Sequence, residues 1–270
     1  MTTVYALGSG SSGNAFAVAC DGAALLVDAG FSAREIGKRA DAAGFDLRTT
    51  RGILITHEHG DHVCGAARLA TTLRIPVLTA PGTWDRLRPR MRGAEFCPLA
   101  LMGDVAVAGF TVEACPTSHD AAEPVALAIR TAAGHRVSVA YDLGRPTTAV
   151  RFLLRGSHAV ILEANHDDVL LRTSGYPPVV QQRIAGSGGH LSNRAAAELL
   201  AELLHDDLHS VVLAHLSERC NSEAEARAAV EPVLRRGGGR APALHVARQD
   251  APLPPIVLPA LQLGLGLLSA

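Results

Sequence analysis

Thr56-His57-Glu58-His59-Gly60-Asp61-His62 follows the apolar run Gly52 to Ile55, and this stretch decides how the rest of the chain is read. His57 and His59 stand two apart where a strand runs out, so the fading strand can turn both imidazoles toward one ion. Asp61 and His62 supply a second pair of donors. Imidazole and carboxylate suit zinc, manganese or iron, and a polar turn with incidental histidines does not account for four such donors within six residues. Four donors do not complete two coordination spheres, so others are expected from distant strand ends.

The sequence offers three. His119, in Thr117-Ser118-His119-Asp120, follows the run Thr111 to Ala114; Asp142 ends the run Val137 to Tyr141; His215 ends the run Val211 to Ala214. Each stands where a buried strand gives way to a loop, the position at which functional side chains concentrate.

Working outward, Val-, Ile- and Leu-rich runs at Ala15 to Ala19, Ala24 to Val27, Gly52 to Ile55, Val125 to Ile129, Val137 to Ala140, Ala159 to Leu162 and Val211 to Ala214 read as strands. Helical patterns cover Ala33 to Ala43, Val63 to Leu73, Gly82 to Arg90, Thr147 to Leu154, Asn193 to Leu204 and Glu223 to Leu234. Strands clustered early and alternating with helices later predict an α/β (α+β) fold, a sandwich of two sheets with flanking helices. No internal repeat is visible. At 270 residues the chain approaches the upper limit for one hydrophobic core. One domain is expected over residues 1-250, with Gly237-Gly238-Gly239 as a joint before a last strand at Leu244 to Ala247 and residues 251-270 as an apolar, Pro- and Gly-interrupted tail. The apolar part of that tail, Ile256 to Ala270, reads as cover for a sheet edge or as a partner contact.

Hydrophobic residues make up 48% and charged residues 19%, which excludes a disordered chain. A net charge of -1 excludes an overall basic field for nucleic acid and leaves only local patches, of which Arg86, Arg88, Arg90 and Arg92 form the densest. That stretch reads either as a solvated helix end or as a seat for a nucleic-acid backbone. Five scattered cysteines without a CxxC pair read as free thiols in a reducing compartment. No signal peptide or membrane-spanning run is visible, so a cytoplasmic location and no membrane partner are expected. Gly8-Ser9-Gly10-Ser11-Ser12-Gly13-Asn14 lacks the Lys-Ser/Thr and the helix of a P-loop. It reads as a tight turn near the site, with an anion pocket lined by its amides as the alternative.

The donor order HxHxDH, then His, then Asp, then His is similar to that of the metallo-β-lactamase superfamily, with all seven positions filled. The resemblance implies a four-layered αββα sandwich, with His57, His59 and His119 on one ion, Asp61, His62 and His215 on a second, Asp142 shared, and a hydroxide between the metals. Asp142 stands where zinc β-lactamases carry Cys, which disfavours antibiotic hydrolysis. His59 stands where the flavodiiron branch carries Glu, which disfavours reduction of oxygen or nitric oxide. The Gly/Ser loop, Thr117-Ser118-His119-Asp120-Ala121, Glu163-Ala164-Asn165-His166-Asp167, Gly189-His190-Leu191-Ser192-Asn193 and Ala214-His215-Leu216-Ser217 resemble the YycJ/WalJ group of bacterial phosphodiesterases and DNA exonucleases, from about Tyr5 to Gln249.

That resemblance implies a phosphodiesterase or 5′ to 3′ exonuclease acting on nucleic acid, DNA first, with two divalent ions, Zn or Mn or else Fe. Asp61 and His190 are the expected catalytic pair. His190 resembles the extra histidine of the phosphodiesterase branches and is placed as general acid or phosphate clamp, beside a helix N-terminus capped by Ser192. Asp28, in the superfamily's first motif, is expected to brace the metal loop. Glu163, Asn165, His166 and Asp167 read equally as support or as substrate contacts, with Asp167 also able to cap a short helix. The alternative activity is hydrolysis of a small ester or thioester, as in glyoxalase II or a lactonase, with the same seven ligands. Glyoxalase II usually adds a C-terminal helical domain, whereas one helix and a strand follow His215 here. A binding protein with a silent site is the third class, and the intact ligand set speaks against it.

Overall fold

The computed structural model describes residues 1–236 and 240–261. The expected Gly237-Gly238-Gly239 joint and residues 262–270 of the tail lie outside the described residues.

The first sheet is built from β1 (Thr2–Gly8), β2 (Ala15–Cys20), β3 (Ala23–Val27), β4 (Thr50–Leu54), β5 (Val77–Thr79) and β6 (Phe96–Pro98), with α1 (Ala33–Ala42), α2 (Gly60–Val63), α3 (Ala66–Leu73) and α4 (Pro81–Leu87) between strands. The second comprises β7 (Asp104–Val107), β8 (Phe110–Pro116), β9 (Val125–Arg130), β10 (Arg136–Ala140), β11 (Ala159–Glu163), β12 (Ser210–Ala214) and β13 (Ala243–Val246). Its helices are α5 (Thr148–Leu154), α6 (Asp168–Thr173), α7 (Pro178–Ala185), α8 (Asn193–Leu203) and α9 (Glu223–Leu234), and β14 (Ile256–Val257) returns to the first sheet. The sheet orders are β14-β1-β2-β3-β4-β5-β6 and β13-β12-β11-β10-β9-β8-β7.

Side-chain alternation along the strands sorts the core into three layers. Leu25 and Val27 of β3 and Ile161 of β11 face the space between the sheets, where Phe16 lies against Tyr141 with ring centroids 5.9 Å apart. Leu26 faces outward with Ile36 and Leu69, and Val160 and Leu162 face Leu199 and Val230 on the other side. The four layers are thus helix, sheet, sheet, helix. β1 to β3 and β7 to β10 pair antiparallel, while β3 to β6 and β10 to β13 pair parallel. Two antiparallel steps restore direction, so β1, β3 and β4 finish at one end of their sheet and β8, β10, β11 and β12 at one end of theirs. Every strand whose end carries an expected metal donor is in these two sets.

The expected helix over Val63 to Leu73 is two helices, broken at Cys64 and Gly65. The Gly65 N–H donates to Ala29 O (2.8 Å), and a Cβ there would overlap the Phe31 carbonyl, so contact with the loop after β3 interrupts the helical ladder. α4 ends at Leu87, short of Arg90; Pro89 brings no N–H to extend it. Ile256 and Val257 pair with Val4 and Thr3 at the edge of the first sheet, and Leu258 is buried beside them. Among the described residues no helix is long and apolar enough to cross a membrane.

Candidate metal centre

Three site residues turn back over the strand ends by taking left-handed backbone angles within two residues of a strand: Asp28 (φ 56°), Asp142 (φ 54°) and His215 (φ 56°). Side chains other than glycine avoid this region, and its use at three facing strand ends marks a built site. Asp28 accepts from Thr56 N–H (2.8 Å), the Thr56 hydroxyl (2.8 Å) and the Tyr141 hydroxyl (2.7 Å), and its Oδ2 lies 2.7 Å from His62 Nδ1. It braces the motif from beneath and is itself fully buried.

The hydrogen bonds fix the imidazole tautomers. The Thr56 hydroxyl donates to Asp28, so at 3.1 Å it accepts from His57 Nδ1–H and leaves His57 Nε2 a free lone pair. His62 Nδ1–H donates to Asp28 and His119 Nδ1–H to Gly189 O (3.1 Å), so Nε2 is the nitrogen that each ring turns into the cluster. Anchoring one ring nitrogen so that the other points inward is the arrangement of metal-ligating histidines. His57 Nε2 lies 3.0 Å from His59 Nδ1, and His119 Nε2 3.4 Å from the same atom. Asp61 Oδ2 lies 3.3 Å from His62 Nε2 and 3.4 Å from His215 Nε2. Asp142 stands between these groups, 3.0 Å from His62 Nε2 and 3.7 Å from His119 Nε2, and its buried Oδ2 has no hydrogen bond of good geometry. A buried carboxylate oxygen in that condition is costly unless a cation lies on it.

The charges agree. Burial works against the carboxylate of Asp142, but His215 and His62 hold it well below its ordinary range. Burial likewise opposes charge on His215, yet Asp142, Asp61 and Glu163 raise it to about 10. His62 is raised well above its usual value by Asp142 and Asp28 despite burial, while burial and the neighbouring His62 hold His57 well below. Asp28, Asp142 and Glu163 are all buried, and together with Asp61 they draw positive charge into the cluster. The donor set therefore fits divalent cations: His57, His59 and His119 converge within 4.8 Å, as do Asp61, His62 and His215, and Asp142 joins His57 and His62 in a third group. A fourth grouping of Asp142, Glu163, His190 and His215 meets the same distance. There, the Nδ1 atoms of His190 and His215 already face Glu163 Oε1 at 2.7 and 3.2 Å, so it is a hydrogen-bonded cluster and not a cage.

His190, in the loop between α7 and α8, lies 3.3 Å from Asp142 Oδ1 with its side chain 23% exposed, so it sees both cluster and solvent. Burial opposes its charge, but Glu163 outweighs burial and raises its pKa. The helix beside it differs from expectation. Ser192 does cap α8, but three of the amides there are committed: Leu191 N–H to Glu163, Asn193 N–H to His166 O and Ala195 N–H to Ser192 Oγ. The Gly/Ser loop is similarly engaged, Ser9 N–H to Arg248 O, Gly10 N–H to Asn14 and Ser12 N–H to Gln249, so it acts as a brace and not as an anion pocket. Ser9 Oγ in turn accepts from His215 N–H (2.8 Å).

The polar run after β11 divides by role. Glu163 accepts from Leu143 and Leu191 N–H besides facing two histidines, and Asn165 Nδ2 donates to His215 O (2.9 Å). His166 pairs through its backbone with Ser192, and Asp167 caps α6. Tyr141, to which no role was assigned from sequence, and Asn14, which ends the Gly/Ser turn expected near the site, complete the brace. Tyr141 is placed under Asp28 by strand alternation, and Asn14 donates its N–H to Asp61 O (2.8 Å) with its side-chain amide 3.2 Å from His62 Nε2. Gly30 closes the arrangement, since a Cβ there would overlap Asp61 O.

A family model described as the beta-lactamase superfamily domain matches residues 24–216. The chain is 33% identical over 252 residues to the exodeoxyribonuclease YycJ of Bacillus anthracis, covering 92% of this chain and 95% of that protein. It is 30% identical over 225 residues to the exodeoxyribonuclease WalJ of Streptococcus pneumoniae, covering 80% and 81%. In structure it is similar to the metallo-beta-lactamase fold protein YhfI of Bacillus subtilis, with a TM-score of 0.71 over 93% of this chain and 98% of that one at 15% identity. The match spans the heptad, the four strand ends and the loops that hold His119 and His190, so the chain belongs to the beta-lactamase superfamily.

Proposed function

We propose that this chain is a metal-dependent exonuclease that hydrolyses the phosphodiesters of DNA from a strand end, in the 5′ to 3′ sense. The observation that carries the reading is the pair of donor groups, His57 with His59 and His119, and Asp61 with His62 and His215, joined by Asp142. These residues would hold two divalent ions, zinc or manganese and alternatively iron, since nitrogen and carboxylate donors accept all three. Ions bound there supply Lewis acidity to a phosphoryl oxygen and lower the pKa of a bound water.

The chain's own residues do the rest. Asp28 and Thr56 orient His57 and His62, Glu163 orients His190 and His215, and Asp142 is held between two histidines of the cluster. With Nδ1 engaged by Glu163, His190 has only Nε2 to offer a substrate, and the Glu163 carboxylate favours a proton there. It donates this proton to the departing alkoxide, or the charged ring holds a phosphoryl oxygen. Relatives named as exodeoxyribonucleases at 30–33% identity support the choice of polymer. The free state of all five cysteines accords with a cytoplasmic location.

The test is a parallel incubation of metal-loaded enzyme with end-labelled single- and double-stranded DNA, RNA, bis-p-nitrophenyl phosphate and a thioester, with Asp61→Ala as the inactive control. DNA shortened from one end is the expected result. Thioester cleavage without phosphodiester cleavage would replace this reading with the small-ester one.

A further inference from the structure

The arginine-rich stretch at the end of α4 gathers basic residues more densely than any other part of the chain. Leu87 and Met91, four apart, are buried and pin the segment to the core beneath the first sheet's helices. Arg86, Arg88, Arg90 and Arg92 remain outside, all exposed. Arg48, Arg151, Arg183 and Arg235 each hold a carboxylate, whereas among the described residues none of these four does; the other exposed arginines in that condition, such as Arg155 and Arg240, are scattered and not gathered in one stretch. Arg86, in the last turn of α4, complements the helix dipole; Arg90 and Arg92 lie beyond the helix and gain nothing from it. Four like charges within seven residues repel one another unless a polyanion lies across them.

Their place in the fold points to which polyanion. Arg90 Nη2 donates to Glu58 O (3.3 Å), the carbonyl between His57 and His59. The Glu58 carboxylate accepts from Ala122 N–H (2.8 Å), in the loop that carries His119. Through Arg90 the cationic segment therefore touches the heptad's loop, which Glu58 ties to the loop that carries His119.

We propose that Arg86, Arg88, Arg90 and Arg92 seat the phosphodiester backbone of the strand whose terminal residue lies in the metal centre, holding it by charge without reading its sequence. This rests on the nuclease reading and extends it to how the polymer is held. Phosphate contacts position a nucleic acid and make its binding salt-dependent, at about 0.7 in the log–log slope per phosphate on a single strand.

The experiment measures kcat/KM for single-stranded DNA and for bis-p-nitrophenyl phosphate with the metal-loaded enzyme between low and moderate salt. The variant combines Arg86→Gln, Arg88→Gln and Arg92→Gln; Arg90 is left because it bonds the metal loop. A control combines Arg155→Gln, Arg236→Gln and Arg240→Gln, exposed arginines that follow α5 and α9 or precede β13 on the second sheet's side of the sandwich. The salt slope on DNA should flatten by about 2 in the first variant, for three lost contacts. Its loss on DNA should exceed its loss on the small diester at least tenfold. Lysine at the same three positions should restore the slope, because a phosphate contact needs the charge and not the guanidinium. Equal slopes for the two glutamine variants, with DNA still cleaved, would overturn the proposal and leave the nuclease standing. No DNA cleavage by the unaltered enzyme would remove both.

Discussion

Histidines gather at both ends of the sandwich, and the two ends treat them in opposite ways. At the end where β4, β8, β10 and β12 finish, His57, His62 and His119 each spend Nδ1 on an oxygen and aim Nε2 at one another. At the end where β10, β11 and β12 begin, the nitrogens are spent on the fold. His135 faces Thr2 Oγ1 (3.0 Å) and Pro259 O (2.8 Å), and His158 Nδ1 accepts Arg136 N–H (2.9 Å). His205 faces Ser157 O (3.1 Å) and accepts Asp207 N–H (3.3 Å). The far-end rings lie close, 5.3 Å between the centroids of His135 and His158 and 6.2 Å between those of His158 and His209. Yet among the described residues none of them joins a group of three converging donors. Proximity of imidazoles does not make a metal site; a spare lone pair on each ring, with carboxylates nearby to favour a cation, does.

The contrast can be broken at several points, beginning with the largest effect. Replacing His190 by Ala should lower kcat on DNA by roughly a hundredfold to ten-thousandfold, the usual contribution of a positioned general acid. Metal content measured on the same sample should stay level, and unchanged turnover would sink the assignment. Asp28→Asn removes an acceptor from the brace and should weaken metal affinity by about 10- to 100-fold, as loss of such orienting partners does. Competition with a chromophoric chelator reads this directly, and an unaltered affinity would deny Asp28 its bracing role.

At the far end the effect is on stability. Burial, then His135 and His209, lower the His158 pKa, so the unfolded chain with its value near about 6.5 takes up a proton first. The stability this gives is present above the unfolded pKa and is lost as pH falls below it. In His158→Asn, which retains an acceptor for Arg136 N–H, urea unfolding at pH 7.5 and at pH 5.5 should differ less than in the parent. Equal differences would contradict the assignment. The smallest effect is expected from His205→Ala with His209→Ala, which should leave the metal-to-protein ratio unchanged; a lowered ratio would mean that the far end holds metal after all.

How much of this was legible depends on how local each signal is. The heptad was readable because four donors lie within six residues at the end of an apolar run, and the unbroken apolar runs of β3 and β11 marked strands buried on both faces. The break at Gly65 was not, because it depends on the approach of Ala29 and Phe31 from another loop. A serine before a helix reads correctly as a cap, but whether the neighbouring amides are free to bind a phosphate depends on Glu163 and His166. Glu163, Asn165, His166 and Asp167 looked like one polar cluster and serve separate elements, since a chain leaving a strand turns each side chain to a different neighbour.

The cationic segment marks the same boundary. Its charges are plain in sequence, while the lack of carboxylate partners among the described residues and the contact from Arg90 to Glu58 O belong to the folded chain. By itself the sequence determined the donors, their order and the strand ends that carry them, because those are properties of short stretches and of hydrophobic period. Only the tertiary structure decided which nitrogen of each histidine is free. That follows from hydrogen-bond partners such as Thr56, Asp28, Gly189 and Glu163, some of them supplied by strands and loops far away in sequence, and it is what separates the heptad's histidines from those at the other end.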